Sequence, residues 1–414
     1  MKKNDPLVFS DVFAGCGGIS LGLINAGWQG CFAIEKNNNA FETLRSNLVD
    51  GQRGNFNWPG WLPKEAISSS NLLKNYSNQL GALRGGITLL AGGPPCQGFS
   101  MAGRRSPSDP RNSLTEDYIA LVEKMQPRIL LIENVRGFTL PFNKNGDGSE
   151  VPYSTKVMER LKGAGYKVFS RLVNLSMYGV PQVRKRFIII AIREDDSAYK
   201  KLKGKSPFDI LETTRSTFLS SKKLSITSPI TVKQAIGDLE VNGSVLVENT
   251  DCGLKGYKRI GYAKVGNKSN FVKLMREGVV GAPDSLRLPN HRADTVEQFR
   301  KIITTCVQGK TLSKEDRKRL GIKKHALTPL HESFPSATIT TLPDDILHYS
   351  EPRILTVREN ARIQTFPDWF QFTGKYTTGG KMRKSECPRY TQVGNAVPPL
   401  FSEAIGQVIK YLVT

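Results

Sequence analysis

The sequence predicts an α/β fold: a mostly parallel β-sheet covered by helices, an antiparallel hairpin at its end, and a smaller loop-rich domain. Strand-like and helix-like segments alternate through residues 1–193. The strands are short apolar runs such as 187–192, typical of strands that are buried on both faces. The last two strands are joined by only residues 175–186, too short for a crossover helix, which indicates an antiparallel connection.

The individual elements follow from apolar periodicity and from the glycines and prolines that interrupt it. The predicted strands are 7–13, 29–34, 87–91, 128–132, 167–174 and 187–192. The predicted helices are 19–26, 38–48, 114–125 and 155–161. Pro127 marks the end of the third helix, and Gly163 and Gly165 stop the fourth.

The composition changes after residue 193. Residues 194–335 are rich in lysine, serine and glycine, with poor periodicity, and predict a separate domain rather than the alternative, a long disordered insertion. Helical spacing at 232–239 and 295–303 favours the ordered domain. Residues 336–414 return to regular structure, with predicted helices at 356–365 and 400–412.

The charge of the chain indicates a polyanionic partner. Lysine and arginine number 59 against 37 acidic residues, a formal net charge of +22, which favours nucleic acid over an anionic membrane surface. No apolar run approaches the ~18–20 residues of a spanning helix, and the N-terminal residues lack a signal-peptide core. We therefore expect no membrane association; a merely well-solvated basic surface is the alternative.

The cysteines predict a cytoplasmic protein with reduced thiols and no structural metal. None of the six stands in a CxxC pair, and the four histidines complete no zinc pattern. A disulfide framework is not expected in so long a chain without a secretion signal.

The stretch Pro94-Pro95-Cys96-Gln97 places one cysteine on a stiff turn at the tip of a strand. It follows the strand 87–91 and a glycine pair, and a basic loop that reaches Arg105 comes after it. A nucleophile that faces a polyanion is expected at such a position. The alternative is a buried, inert thiol.

The turn after the first strand indicates a nucleoside site. Glycines 15, 17 and 18 permit close approach of a ligand, but Ser20 stands where a dinucleotide fingerprint needs a third glycine. Glu35, at the end of the second strand, is placed to accept hydrogen bonds from ribose hydroxyls. A nucleoside cofactor without a pyrophosphate, S-adenosylmethionine, fits this pattern. The alternatives are a tight strand-to-helix turn and a solvated glutamate.

Six motifs occur in an order that resembles one enzyme family. They are Phe13-Ala14-Gly15-Cys16-Gly17-Gly18, Gly93-Pro94-Pro95-Cys96-Gln97, Glu133-Asn134-Val135, Gln182-Val183-Arg184-Lys185-Arg186, the stretch from Thr356 to Pro367, and Gln392-Val393-Gly394-Asn395-Ala396-Val397-Pro398. The chain resembles the DNA (cytosine-5) methyltransferases of bacterial restriction–modification systems. The resemblance implies a Rossmann-like S-adenosylmethionine-dependent methyltransferase sheet in 1–193, a target recognition domain in 194–335, and in 336–414 its support and a C-terminal helix that returns to the catalytic domain.

The resemblance also implies the roles of the site residues. Cys96 would attack carbon 6 of cytosine, with its pKa lowered by nearby arginines, and Glu133 would hold and protonate N3. Arg186 would hold the pyrimidine carbonyl, and Arg184 the neighbouring backbone or Glu133. The implied cofactor contacts are Phe13, Ala14, Gly15, Cys16, Gly17, Gly18, Glu35, Asn71, Pro94, Leu114, Asn395 and Val397. The implied DNA contacts are Gln97, Ser100, Arg104, Arg105, Gln182 and Thr338.

One position departs from the family pattern. The family has an acidic residue after its third strand that binds the adenine amino group, and the nearest counterpart here is Asn71. An amide oxygen accepts the same hydrogen bond without the charge.

The predicted function is transfer of a methyl group from S-adenosylmethionine to carbon 5 of a cytosine flipped out of a specific duplex DNA site. The expected protein is a prokaryotic monomer, accompanied by a cognate restriction endonuclease that it does not bind. A tRNA cytosine-5 methyltransferase of the same family and a non-catalytic DNA-binding relative are the alternatives, and a nicotinamide oxidoreductase is a more distant one.

Overall fold

The computed structural model describes residues 6–94, 113–141, 151–251, 253, 255–262, 268–378 and 386–414. Its chain forms two compact units. The sheet unit comprises Met1–Asn174, Lys185–Thr214 and Phe401–Thr414. The second unit comprises Leu175–Arg184 and Arg215–Leu400.

The sheet unit is built on a six-stranded sheet in the order β2-β1-β3-β4-β6-β5. Its strands are β1 (Val8–Val12), β2 (Gln29–Ile34), β3 (Leu89–Gly92), β4 (Ile129–Val135), β5 (Tyr166–Asn174) and β6 (Lys185–Arg193). The pairs among β2, β1, β3 and β4 are parallel, and β6 runs antiparallel to both β4 and β5. The predicted α/β fold and its antiparallel end are therefore confirmed.

Helices flank this sheet and fill the second unit. In chain order they are α1 (Gly18–Asn25), α2 (Asn38–Leu44), α3 (Ser69–Asn75), α4 (Ser77–Ala82), α5 (Ser113–Met125), α6 (Tyr153–Gly163), α7 (Ser197–Lys201), α8 (Pro207–Ser221), α9 (Val232–Ile236), α10 (Asn270–Met275), α11 (Ala293–Thr305), α12 (Lys314–Arg319), α13 (Val357–Ile363), α14 (Arg389–Asn395) and α15 (Pro399–Val413). The predicted helix 38–48 becomes α2 followed by a π-helical turn, Arg45–Val49. None of the described helices is long and apolar enough to cross a lipid bilayer.

The core of the sheet unit is apolar and continuous. All of β3 is buried, and β4 contributes Leu130 and Ile132 to the same cluster. Tyr118 of α5 packs into this cluster and donates its hydroxyl to the carbonyl of Leu90 at 2.9 Å. Short continuous runs of apolar residues like these are the signal from which the buried strands of the sheet were predicted.

The second unit contains two small sheets, one of β7 (Leu246–Glu248) and β8 (Lys258–Ile260), the other of β9 (Thr328–Pro329) and β10 (Ile346–Leu347). Capping boxes begin two of its helices. Thr231 and Gln234 satisfy each other's backbone N–H groups at the start of α9, and Thr356 and Glu359 do so at α13.

Buried arginine–carboxylate pairs hold the second unit together around α13. Arg353 binds Glu359 through two bonds of 2.8 Å. Arg362 binds Asp368 and Asp238 and is itself fully buried. Removing one partner of such a pair would leave an uncompensated charge in the interior, which destabilises the folded state. Each of these ion pairs therefore needs both of its members.

Candidate active site

The carboxyl ends of four strands meet at one edge of the sheet. In register, Val12 lies beside Ile34 and Gly92, and Gly92 lies beside Ile132. The glycine-rich turn, Glu35 and the Gly93-Pro94 pair follow the ends of β1, β2 and β3, and Glu133 lies in the last part of β4, directly after Ile132. An open α/β sheet binds its ligands at this edge.

The glycine-rich turn is shaped by three residues with positive φ. They are Phe13 at 63°, Gly15 at 56° and Gly17 at 93°. A Cβ atom on Gly17 would lie 2.9 Å from Leu48, so no side chain fits there. A Cβ on Gly15 would meet nothing within 4 Å, so the backbone at Gly15 borders open space that a ligand can enter.

Glu35 is fixed by the same turn. Its two carboxylate oxygens accept the backbone N–H groups of Gly15 at 3.1 Å and Asn37 at 2.8 Å. Burial raises the pKa of Glu35, against the lowering effect of these bonds. Each oxygen keeps a second lone pair, so the carboxyl can accept ribose hydroxyls. The cradle at Gly15 and this acceptor fit the nucleoside part of S-adenosylmethionine.

A second carboxyl lies beneath the turn. Asp11 is fully buried and accepts the hydroxyl of Ser20 at 2.6 Å. Burial raises its pKa to about 7. Sequence reasoning missed Asp11, because no motif required it.

The start of the predicted nucleophile turn is fixed beside Glu133. The amide of Asn134 donates to the carbonyl of Pro94 at 3.3 Å, and Pro94 is buried. A Cβ on Gly93 would lie 3.4 Å from Oε2 of Glu133. Asn134 is thus a positioning residue that spacing alone did not reveal. The predicted residues Cys96, Gln97, Ser100, Arg104 and Arg105 lie outside the described residues.

Glu133 and Arg186 form an ion pair on neighbouring antiparallel strands. Nε of Arg186 lies 2.7 Å from Oε1 of Glu133, and the two side chains are only 12% and 14% exposed. Arg186 stands opposite Val135, two residues beyond Glu133, so both side chains project from the same sheet face. Burial lowers the pKa of Arg186, while the charge of Glu133 opposes that shift.

Arg184 belongs to the second unit and is bound to backbone. Its guanidinium donates to the carbonyls of Ile339 at 3.1 Å, Gly394 at 3.2 Å and Ala396 at 3.3 Å. The prediction gave Arg184 the neighbouring backbone or Glu133 as its partner, and these three carbonyls are backbone groups of distant segments. This close packing requires a glycine at position 394, because an added Cβ would collide with the Thr340 carbonyl oxygen.

The predicted DNA contact of Gln182 needs correction. Gln182 is fully buried, donates to the side chain of Gln364 at 2.6 Å and accepts the N–H of Ile339 at 3.0 Å. Gln364 in turn donates to the carbonyls of Val393 at 2.7 Å and Ala396 at 3.3 Å. In this structure the Gln182 amide therefore ties protein segments together and is not presented to DNA.

The remaining predicted residues occupy varied environments. Asn395 is exposed at the end of α14, Val397 is buried and Leu114 is half-buried near the start of α5. Thr338 donates its hydroxyl to the carbonyl of Val183 at 2.7 Å. Asn71 lies exposed within α3 rather than directly after a strand, although the N–H of nearby Ile67 binds the carbonyl of Glu35 at 2.9 Å.

Sequence comparison relates almost the whole chain to one family. The family described as C-5 cytosine-specific DNA methylase matches residues 7–411. The Type II methyltransferase M1.HphI of Haemophilus parahaemolyticus is 29% identical over 97% of this chain and 86% of its own length. M.DdeI of Desulfomicrobium norvegicum, also a Type II methyltransferase, is 28% identical over 97% of this chain and 88% of its own.

Solved structures share the fold. A prophage-encoded Escherichia coli protein assigned as a DNA modification methyltransferase superposes with a TM-score of 0.62 at 23% identity, covering 98% of this chain and 99% of its own. The Dnmt2 methyltransferase of Schizosaccharomyces pombe superposes with a TM-score of 0.54 at 14% identity over 98% of each chain. The chain therefore shares the α/β fold of these two proteins.

Proposed function

The chain belongs to the C-5 cytosine-specific DNA methylases, which take their methyl group from S-adenosylmethionine, and we propose that it is the methyltransferase of a type II restriction–modification system. It methylates carbon 5 of a cytosine flipped out of a short duplex DNA site, through a covalent bond to Cys96. The observation that carries the chemistry is the Glu133–Arg186 pair beside the start of the Cys96 turn.

The reaction begins with the sulfur of Cys96. Its thiolate forms a bond to carbon 6 of cytosine, and the ring electrons move towards N3 and carbon 5. Carbon 5 then has the enamine character that an electrophilic methyl group requires. Once carbon 5 carries the methyl group, water takes the carbon 5 proton and the Cys96 sulfur leaves as the thiolate, which restores the aromatic ring and the free enzyme. The bond from Asn134 to Pro94 supports this role, because it fixes the residue two positions before Cys96.

Glu133 and Arg186 stabilise the ring during attack. Glu133 acts in its carboxylic acid form: it gives its proton to N3, which removes the negative charge that the thiolate brings, and takes that proton back when the Cys96 sulfur leaves. Arg186 orients the Glu133 carboxyl through Nε and can direct another N–H to the pyrimidine carbonyl. Their low exposure strengthens both interactions, because little water competes with them.

The methyl donor is assigned to the turn after β1. Bound there, S-adenosylmethionine supplies a methyl group on a positively charged sulfur. The open cradle at Gly15 and the acceptor Glu35 support its ribose, and Phe13, Pro94 and Leu114 are proposed to line its adenine. Asn395 and Val397 are proposed to complete the site, together with the remaining residues of the turn.

The domain roles remain part of the proposal. Residues 1–193 form the catalytic domain, and 194–335 recognise the target sequence. Residues 336–414 support the recognition domain and end in a helix that belongs to the catalytic domain. Duplex DNA is the substrate, the protein acts as a monomer, and a cognate endonuclease accompanies it without binding it. The basic excess supports DNA docking, which predicts that binding weakens steeply with added salt.

Transfer of tritiated methyl groups tests the function. The protein is expected to label duplex DNA and not tRNA, and bisulfite sequencing of DNA from expressing cells should reveal methylated cytosine in one short sequence. The Cys96→Ala variant should transfer nothing, whereas Cys306→Ala, which removes a half-buried thiol of the second unit, should remain active. Labelling of tRNA alone, or an active Cys96→Ala protein, would contradict the proposal.

A further inference from the structure

Helix α12 of the second unit lies entirely on the surface, since none of its residues is buried. It is nevertheless held at both ends. Leu312 before it is buried, and Leu320 and Ile322 after it pack against the same apolar cluster. The hydroxyl of Ser313 accepts the N–H of Asp316 at 2.9 Å and caps the first turn. The helix is therefore fixed by its flanking residues and not by burial of its own side chains.

Three basic side chains share one face of this helix. Lys314, Arg317 and Lys318 are spaced i, i+3 and i+4, which places them side by side. This set is here called the α12 basic face. Among the described residues, none of the three forms an ion pair with an acidic side chain. Like charges at this spacing repel each other, so the arrangement destabilises the helix without a compensating ion pair.

Most acidic groups around the α12 basic face are bound by other cations. Asp316 of the helix is held by Arg319 at 2.8 Å. Lys324, which follows the helix, binds Asp344 at 2.6 Å and Asp345 at 2.8 Å. These carboxylates therefore do not neutralise the three side chains of the face.

One acid of the helix, Glu315, has no such partner among the described residues. It follows Lys314 by one residue, about 100° further around the helix axis, and so lies outside the face. Lys323 is exposed and adds a fourth cation without an ion pair in the same part of the structure. Residues 313–325 and the two acids bound to them contain six basic and four acidic side chains. A positive charge therefore remains after every acid in contact is counted.

Arg317 is held in place by a neutral group. Its Nη1 donates to Nδ1 of His325 at 2.6 Å. Because the acceptor is an imidazole nitrogen, the bond orients the guanidinium without cancelling its charge. Arginine carries five N–H donors, so others can reach an anion.

The composition of the helix indicates the kind of partner. Residues 314–319 include no apolar side chain. The buried core of a protein interface is rich in aromatic residues and poor in lysine, and a helix that binds a lipid surface buries an apolar face. Lysine and arginine without apolar neighbours instead suit the phosphates of a nucleic acid.

We infer that the α12 basic face, with Lys323, contacts the phosphates of the duplex DNA substrate. The inference rests on the proposed function and adds a DNA contact to it. Phosphates would neutralise the three cations and relieve the repulsion between them, and the displaced counter-ions would make this contact sensitive to salt. Such contacts fix the duplex on the protein without reading its sequence.

DNA binding by the full chain tests the inference, with a duplex that carries the mapped site. A triple variant should bind this duplex about 30-fold more weakly at physiological salt and reduce the slope of log affinity against log salt by about three. Its affinity for S-adenosylmethionine should not change. The substitutions are Lys314→Gln, Arg317→Gln and Lys318→Gln.

A second triple variant is the control for net charge. It removes the same charge from exposed lysines of the sheet unit, by Lys162→Gln, Lys167→Gln and Lys200→Gln. Lys167 pairs with the end of β6, at the sheet edge opposite the glycine-rich turn. The control should keep the wild-type slope. Equal losses in the two variants would overturn the inference, because net charge alone would then explain binding.

Urea titration separates a DNA contact from a structural role. The α12 triple variant should be as stable as the wild type or slightly more stable, because repulsion along the helix is removed. A clear loss of stability would assign the three cations to the fold and overturn the inference.

Neutral methylphosphonates, placed at one phosphate of the duplex at a time, test the contact itself. At one or more positions the replacement should weaken binding of the wild type but not of the α12 triple variant. Equal weakening of both proteins at every position would refute the contact. Failure of the wild type to methylate DNA would instead refute the proposed function.

Discussion

Two buried carboxyl groups of the sheet unit and two of the second unit have opposite pKa shifts. In the sheet unit, burial raises the pKa of Asp11 and Glu35, which lie at the glycine-rich turn. In the second unit, burial opposes ionisation of Glu359 and Asp368 as well, but bound arginines outweigh it and lower the pKa of both. Asp11 and Glu35 therefore border the proposed ligand site of the sheet unit. Glu359 and Asp368 instead pair with arginines in the interior of the second unit.

The distribution of net charge follows the same division. The sheet unit contains 28 basic and 20 acidic residues, and the second unit 31 and 17. The second unit therefore carries a net charge of +14 out of the total of +22. This excess is present even though buried arginines such as Arg353 and Arg362 are paired with acidic residues. The excess lies in other basic side chains, which can face a polyanion.

The largest expected effect concerns charge that serves the site. Arg186→Ala should reduce methyl transfer about 10²–10³-fold, because the proposed donor to the reacting ring and the partner of Glu133 are both lost. The free energy of unfolding should fall less than in Arg362→Met, because the Arg186 and Glu133 side chains are 12% and 14% exposed whereas Arg362 is fully buried. Arg193→Ala, at the other end of β6 and paired with Asp195, is the control and should remain active. Equal losses in the two variants would break the comparison.

Loss of a buried structural arginine should reduce the free energy of unfolding more than loss of Arg186 does. Arg362→Met leaves Asp368 and Asp238 buried without their cation, which should cost about 3–5 kcal/mol of unfolding free energy in urea titrations. Arg300→Met removes an exposed pair with Glu297 and should cost less than about 1 kcal/mol. A stable Arg362→Met protein would show that the network is dispensable.

Opposite pKa shifts predict opposite pH responses. The folded-state pKa of Asp11 is raised from 3.8 to about 7, so its contribution is present in acid and is lost as pH rises through about 4 to 7. The shift sets an upper limit of roughly 4 kcal/mol. Asp11→Asn should therefore be more stable than wild type at pH 8 and closer to it at pH 5 in urea titrations. A difference independent of pH would contradict the ionisation of Asp11.

The second unit should instead weaken in acid. Burial lowers the pKa of His348 from 6.5 to about 4, so stability is lost as pH falls through this window. His348 lies 3.8 Å from Glu359, with Arg353, Glu351 and Glu240 also nearby, and loss of charge on Glu359 adds to the effect at lower pH. Hydrogen exchange should show the second unit opening first between pH 6 and 4. Earlier opening of the sheet unit would contradict this account.

The smallest expected effect concerns surface charge. Lys318→Gln in the second unit should weaken DNA binding severalfold and reduce the slope of log affinity against log salt by about one. Lys156→Gln, an equally exposed change in the sheet unit, should leave the slope unchanged. Equal slopes for the two variants would show that the basic excess of the second unit does not direct docking.

The sequence was informative where apolar periodicity determines structure. β2 has the predicted bounds, and the β5–β6 hairpin follows from its short connection. Strands such as β4 are buried on both faces, so their residues are visibly apolar. In the second unit, α13 was predicted, but its fully buried Arg358, Glu359 and Arg362 were not, because a charged core has no hydrophobic signature.

Some features of the candidate site could be predicted from the sequence and others could not. The family resemblance assigned Glu133 and Arg186 to one site, but it gave Arg184 as the arginine that would hold Glu133, and the ion pair with Arg186 was not predicted. The burial of Gln182 could not be predicted, because its partners, Gln364 and Ile339, are more than 150 residues away in sequence. Asp11 was missed because its raised pKa depends on three-dimensional burial.

Trapping on duplex DNA that contains 5-fluorocytosine at the mapped site tests whether Cys96 forms a bond to the target base. Fluorine cannot leave carbon 5 as a cation, so the enzyme should remain bonded to the ring after methyl transfer. We predict a denaturant-resistant protein–DNA adduct that requires S-adenosylmethionine and forms with the wild type and Cys306→Ala. No adduct should form with Cys96→Ala. An adduct of the Cys96→Ala protein, or none with an active wild type, would contradict the covalent mechanism.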